Sequence, residues 1–208
     1  KFMDGLIIGQ YELPSGYYTD LNCPMVSLDR QVGDQVPIIR SNHEMSSELI
    51  VDEIVRNGCR KVVMFLGTIV KNNTSAKRHN LIKENLEKRK IEVLTIATDM
   101  PYHLEQMIGE LFEKNKIDGV IGADLYVMAC LKEAYRRGKS IPEDFCAIAY
   151  DGTFLTEANT LPITTIVQPI QELAKQAVIV LQKIIAGEKP EKQEFIIDVQ
   201  LQHRATTK

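Results

Sequence analysis

Apolar residues along this chain come in short continuous runs, and between the runs they recur every three or four positions. Phe2 to Gly9, Pro24 to Leu28, Pro37 to Ser41, Lys61 to Leu66, Glu92 to Ala97, Gly119 to Ala123 and Cys146 to Tyr150 have strand length and composition. Glu44 to Asn57 has a helical period, with Met45, Leu49, Ile50 and Ile54 on one face and Gly58 placed to cap its end. Ser75 to Arg89 turns Leu81, Ile82 and Leu86 inward, and Pro101 to Asn115 carries a stripe of Leu104, Met107, Ile108, Leu111 and Phe112. Leu125 to Arg137 is a further helix. Pro169 to Ala186 is the longest, with a proline suited to its first turn and Gly187 at its end. Glu194 to Gln202 alternates Phe195, Ile197, Val199 and Leu201 with polar residues, the pattern of one half-exposed edge strand.

Strands that are apolar throughout and alternate with helices predict an α/β protein whose parallel sheets are covered on both faces. Right-handed crossovers then bring the C-terminal ends of the strands to one edge, where open α/β sheets bind ligands. The residues that follow the strands are Asp29, Asn42, Gly67, Asp99, Asp124 and Asp151, so polar groups gather at that edge. No Gly-x-Gly-x-x-Gly and no Walker loop follows a strand, which disfavours a phosphate cradle of backbone amides.

Composition narrows the class. The 208 residues are 44% hydrophobic and 25% charged, with a net charge of -3, which suits a globular chain and neither a disordered nor a membrane-embedded one. A pI near 5.9 argues against an extended nucleic-acid surface on this chain. Cys23, Cys59, Cys130 and Cys146 are widely spaced, and Cys130 and Cys146 lie in apolar runs, consistent with a reduced, cytoplasmic protein. His43, His79, His103 and His203 form no zinc-binding spacing, and no metal or cofactor is expected. The opening Lys-Phe-Met-Asp-Gly-Leu-Ile-Ile-Gly reads as the interior of a fold, so a fragment of a longer protein is expected.

A series of segments in fixed order resembles the effector-binding domain of the lactose/galactose repressor family of bacterial transcription regulators. The segments are Asp4-Gly5-Leu6-Ile7-Ile8, Pro24 to Arg30, Gly58-Cys59-Arg60-Lys61-Val62 where the family usually has Gly-His-Arg, and Ser75-x-x-Arg78. The densest matches are Gly138 to Phe145 leading to Ala149-Tyr150-Asp151-Gly152, then Leu161 to Pro169, then Leu201 to Thr206. The resemblance implies a periplasmic-binding-protein-like fold of two doubly wound parallel-sheet subdomains with a ligand cleft between them. By analogy the chain crosses between them near Ser41, Gln168 and Gln193. Residues 1–41 and 169–193 would form an N-terminal subdomain, incomplete here, and 42–168 and 194–208 a C-terminal one. The family carries a helix-turn-helix ahead of this domain. None is present in this sequence, so DNA would be contacted only through such a segment outside it.

The candidate ligand-binding residues are Arg78, Asp151, Asp29, Asp124, Gln168, Tyr102 and Phe154. Arg78, beside Lys77, would stand in the first turn of a helix capped by Ser75, where the dipole disfavours cations by a few tenths of a kcal/mol each. The family uses an arginine at this position to fork onto effector hydroxyls or carboxylates. Asp151 either serves the turn before Gly152 or, as the resemblance implies, accepts two hydroxyls of a vicinal diol. Family members usually carry a second acid where Gly152 stands. Asp124 is a helix N-cap or a pocket residue, and the asparagine that the family places before it is Ala123 here. Asp29 either pairs with Arg30 at the surface or reaches the cleft. Gln168 lies at a crossing and could reach either subdomain, or simply enter the helix at Pro169. Tyr102 and Phe154 could stack on a sugar face or anchor their own loops.

The expected partner is a small-molecule effector, a sugar or sugar derivative, whose binding alters operator binding. No membrane partner is expected. A transport-associated sugar-binding protein of the same fold is the first alternative. A small-molecule enzyme is the second, and it lacks a Gly-x-Ser-x-Gly elbow and any evident nucleophile–base pair. A homodimer is also expected. The helix Leu125–Arg137 is apolar nearly all round in its first half, with Leu125, Met128 and Ala129 on one face and Val127, Leu131 and Tyr135 on another. The resemblance implies that this helix, through Met128 and Leu131, and the loop Phe154–Thr160, through Leu155, meet their own copies across a two-fold axis.

Overall fold

The computed structural model describes residues 3–9, 17, 18, 21, 23–67, 74–98 and 103–208. In chain order the elements are β1 (Leu6–Ile8), β2 (Met25–Leu28), β3 (Ile38–Ser41), α1 (His43–Arg56), β4 (Lys61–Gly67), α2 (Thr74–Lys88), β5 (Glu92–Ala97) and α3 (Leu104–Lys114). They continue with β6 (Gly119–Ala123), α4 (Asp124–Arg136), β7 (Cys146–Asp151), α5 (Phe154–Ala158), β8 (Thr164–Val167), α6 (Ile170–Ile185), β9 (Glu194–Ile197) and β10 (Gln200–Gln202).

The chain divides into two compact units; it changes unit after Asn42, after Gln168 and after Val199, and the start of α2, Thr74 and Ser75, also groups with the first unit. The first unit holds a parallel sheet in the order β1-β2-β3-β9. The long helix α6 buries Leu173, Ala177 and Val180 against Val26 of β2 and Ile39 of β3. At its last strand the sheet also holds an ion pair, in which the buried Arg40 donates through Nε to Oε1 of the half-exposed Glu194. Arg40 is 2% exposed, and its Nη1 further donates to the Ser41 carbonyl at 3.0 Å, so the charge is both paired and hydrogen-bonded.

The second unit is built on a six-stranded sheet in the order β10-β8-β7-β6-β4-β5, parallel except for β10. Val63, Phe65, Val120, Ala147 and Ala149 from its strands pack with Ile108, Leu111 and Phe112 of α3 and Val127, Cys130, Leu131 and Ala134 of α4. Gly122 lets β6 lie close to β4: a side chain there would bring its Cβ to 3.1 Å from the Phe65 Cβ.

Four sequence expectations change. The single edge strand over Glu194–Gln202 is two strands in two sheets: β9 runs parallel to β3, and β10 runs antiparallel to β8. The apolar alternation is continuous across both, which hides the change of sheet at Asp198 and Val199. The third crossing therefore falls after Val199 rather than near Gln193, and residues 194–199 belong to the first unit. Strand β8 had a weak apolar signature, because Thr164 and Thr165 occupy two of its three fully buried positions. Their β-branched shape suits a strand, and their polarity is absorbed locally. Thr164 N donates to Thr206 Oγ1 at 2.9 Å, and Thr164 Oγ1 meets Thr207 Oγ1 at 2.9 Å. Finally, α5 is a helical turn in a segment expected to be loop.

Candidate functional site

The C-terminal ends of β5, β4, β6, β7 and β8 share one edge of the second unit's sheet, because those strands are parallel. Tyr150, the penultimate residue of β7, is the platform of this edge. It is 2% exposed, and its hydroxyl donates to Ser46 Oγ at 3.2 Å and lies 3.3 Å from His43 Nδ1. The Arg78 guanidinium carbon stands 3.8 Å above the centre of the Tyr150 ring, a close cation–π contact. Arg78 Nη2 also lies 3.3 Å from His79 Nε2. Arg78 Nε is buried and finds no hydrogen-bond partner among the described residues.

Helix α2 begins at Thr74, so Ser75 lies inside it rather than capping it, and Arg78 is its fifth residue. The two cations near this terminus are handled differently. Lys77 pairs with Glu44 of α1 at 3.1 Å, with both groups largely exposed. Arg78 has the ring of Tyr150 instead. Its charge, together with burial, acts on the neighbouring imidazole: burial first, then Arg78 and His43, push His79 down to about 3, so His79 is neutral at physiological pH.

Asp151 ends β7 with φ 137, a conformation that L residues rarely adopt. Its Oδ1 accepts from Gln168 Nε2 at 2.8 Å, so these two expected site residues meet. Gly152 follows with φ 68, and a Cβ there would lie 2.9 Å from the Val167 Cα. The acid that the resembled family usually carries here cannot enter without moving β8.

Asp124 is 4% exposed and is not an N-cap; the cap position of α4 is Ala123, and no side chain caps it. Asp124 Oδ2 instead accepts from Thr153 N at 3.0 Å and from the Thr153 hydroxyl, tying the β7–α5 loop to α4. Its Oδ1 is buried and finds no partner among the described residues. Phe154 heads α5 and is 76% exposed. Tyr102 lies outside the described residues. In the first unit, Asp29 has φ 50, and its Oδ1 accepts from Ser41 N at 3.0 Å, so its carboxylate fastens the end of β2 to the end of β3.

Sequence reasoning passed over Tyr150, His43 and His79. Tyr150 carried a usable signal, since it is the one hydroxyl-bearing side chain in the apolar run Cys146–Tyr150. His43 and His79 carried none, because their meeting depends on how α1 and α2 pack.

The apolar faces of α4 are not divided as expected. Val127 and Leu131 pack into the core, and Leu131, at 3% exposure, also lines the groove beside this helix. Leu125 and Tyr135 are exposed, and Met128 and Ala129 are half-buried. These residues line a groove of about 700 Å³ together with Lys132, Arg136, Asn159 and Thr160. Leu155, on α5, is half-buried.

Parallel β–α units with polar groups at the C-terminal strand edge define the class of small-molecule-binding α/β proteins. Residues 51–207 match the family model described as a periplasmic binding protein-like domain, and the chain belongs to that family. It is 29% identical, over 214 aligned positions, to the ribose operon repressor of Halalkalibacterium halodurans, covering 100% of this chain and 63% of that protein. It is 30% identical over 172 positions to the ribose operon repressor of Bacillus subtilis, covering 81% of this chain and 52% of that protein. The chain thus spans between about half and two thirds of the length of these relatives. The crystal structure of a periplasmic binding ribose operon repressor protein from Lactobacillus acidophilus superposes with a TM-score of 0.81. It is 26% identical and covers 99% of this chain and 76% of that one. The first two of these relatives are ribose operon repressors.

Proposed function

We propose that this chain is the ligand-sensing domain of a cytoplasmic transcription regulator, and that it binds a small sugar of the pentose class at the edge built on Tyr150. The observation that carries the reading is Arg78, whose guanidinium is stacked on Tyr150 while a buried N–H has no partner among the described residues. A hydroxyl-rich ligand supplies acceptors for that group. Asp151, oriented by Gln168, supplies an acceptor for a pair of ligand hydroxyls. The ribose operon repressors among the relatives favour a pentose. Ligand binding shifts operator binding by its differential affinity for two states of the domain. Micromolar to millimolar affinity corresponds to about 4–8 kcal/mol, enough to supply that shift.

Calorimetry with a panel of pentoses and hexoses tests this. A saturable heat with at least one pentose supports it, and no binding by any sugar at millimolar concentration contradicts it.

The groove beside Leu125, Met128 and Tyr135 is assigned to a homodimer in which the same surface of two copies meets across a two-fold axis. Met128→Glu places like charges near that axis. The variant should sediment as a monomer where the parent chain sediments as a dimer. A parent chain that is monomeric at tens of micromolar, or a variant that still dimerises, contradicts the assignment.

A further inference from the structure

We infer that Cys59 and Cys146 form an oxidative modification site, in which a peroxide converts two free thiols into an intramolecular disulfide at the N-terminal edge of the six-stranded sheet. Both cysteines are free, and their sulfurs stand 2.8 Å apart. A disulfide requires about 2.05 Å, so the remaining closure is less than one ångström. The approach is built into the sheet. Cys146 opens β7, and its sheet neighbour on β6 is Gly119. Cys59 stands two residues ahead of β4, on the other side of β6. The two sulfurs meet over the glycine: a Cβ on Gly119 would lie 3.1 Å from the Cys146 sulfur and 3.3 Å from the Cys59 sulfur. The turn that carries Cys59 is held in place by Asp118, whose carboxylate accepts from Arg60 N at 2.8 Å and Lys61 N at 3.0 Å. The Cys59 thiol points at the Asp118 carbonyl at 3.5 Å.

The two thiols are not equivalent. Cys59 retains 8% exposure in its turn, whereas Cys146 retains 1%. The thiolate of Cys59 is therefore the group that meets the oxidant. Formed as the Cys59 thiol gives up its proton, it attacks one oxygen of hydrogen peroxide, the O–O bond breaks, and Cys59 sulfenic acid and hydroxide form, the hydroxide taking up the released proton as the first water. The sulfur of Cys146 then attacks the Cys59 sulfur as its own proton leaves. The S–O bond breaks, and the departing hydroxide takes up a proton to become water. In sum two thiols and one peroxide give one disulfide and two waters, with two electrons passing from sulfur to oxygen. Contact with Cys59, and then burial, push the Cys146 thiol well up. Cys130 is buried in the apolar core away from this pair, and Cys23 belongs to the other unit. The pair lies at the opposite end of the strands from Tyr150 and Asp151, so this inference stands or falls separately from the proposed sugar site.

The experiment treats the fully reduced chain with hydrogen peroxide, alkylates what remains free, and maps peptides by mass spectrometry. The expected product has lost the mass of two hydrogen atoms and two of its four free thiols. It yields one cross-linked peptide pair containing Cys59 and Cys146, and dithiothreitol reverses it. Cys59→Ser, at the partly exposed turn, should abolish the cross-link, as should Cys146→Ala, with circular dichroism reporting the fold of each. Cys23→Ser and Cys130→Ala should keep it. Three results overturn the inference: four alkylatable thiols after treatment, sulfinic acid at Cys59 without a cross-link, or an intramolecular cross-link that persists in folded Cys59→Ser.

Discussion

The two ends of the six-residue strand β7 are built on different terms. At its start, Ala147 N donates to the Thr206 carbonyl at 3.1 Å and the Ala147 carbonyl accepts from Thr206 Oγ1 at 2.6 Å. Nearby, Asp118 has its carboxylate satisfied by two backbone amides. At the other end, Asp151 has a backbone conformation that L residues rarely adopt, Gly152 has a positive φ, and Arg78 Nε and Asp124 Oδ1 are buried without partners among the described residues. Unsatisfied buried groups and strained backbone each cost on the order of 1–3 kcal/mol, and folds keep them mainly where a ligand or a moving part makes use of them. One end of the strand is finished as structure, and the other is left prepared for something to bind.

This contrast can be broken in several ways. The largest effect should come from Gly152→Asp, which restores the acid of the resembled family. The positive φ and the clash with the Val167 Cα should cost about 2–4 kcal/mol, read as a lower denaturant midpoint at unchanged m-value. Asp124→Ala removes the acceptor for Thr153 N and the Thr153 hydroxyl. It should cost about 1–3 kcal/mol in the same assay and loosen the β7–α5 loop to hydrogen exchange. A stability loss under half a kcal/mol would mean that the loop is held by other contacts.

His79 gives a smaller and pH-dependent effect. Its folded value, about 3, lies below the ordinary 6.5, so the unfolded chain takes up the proton first. Stability is then lost as pH falls from about 6.5 towards 3, with a slope of up to about 1.4 kcal/mol per pH unit from this group. His79→Gln cannot take up that proton. Its unfolding free energy should fall less steeply than the parent's across this window, and parallel curves would show that His79 titrates normally.

Much of the fold was legible because parallel strands buried on both faces are apolar throughout. The helices α1, α3 and α6 were legible from their inward stripes of leucine, isoleucine and phenylalanine. What escaped followed no such rule. Thr164 and Thr165 are fully buried yet polar; Thr164 is satisfied by Thr206 and Thr207, some forty residues away, and the Thr165 hydroxyl donates to the Ile166 carbonyl. The alternation from Phe195 to Leu201 runs unbroken through a change of sheet. At the site, Arg78 stood out because a cation is misplaced near a helix N-terminus, and Asp151 because it ends a strand. The ring beneath Arg78 and the neutral histidine beside it come from packing between α1, α2 and β7, and no spacing in the sequence encodes that.

The most direct test of the binding edge compares ligand-induced stabilisation in the parent chain and in Arg78→Ala. A saturating sugar raises the unfolding free energy by RT ln(1 + [L]/Kd), about 2.7 kcal/mol at a hundredfold excess over Kd. Losing one charged hydrogen-bond donor should weaken binding by about 1.5–3 kcal/mol, roughly ten- to a hundredfold or more. At the same sugar concentration the stabilisation should fall to between about 1.4 and 0.4 kcal/mol in Arg78→Ala, while the unliganded variant unfolds close to the parent. A variant that is stabilised by the sugar as much as the parent would take Arg78, and with it the Tyr150 platform, out of the binding site.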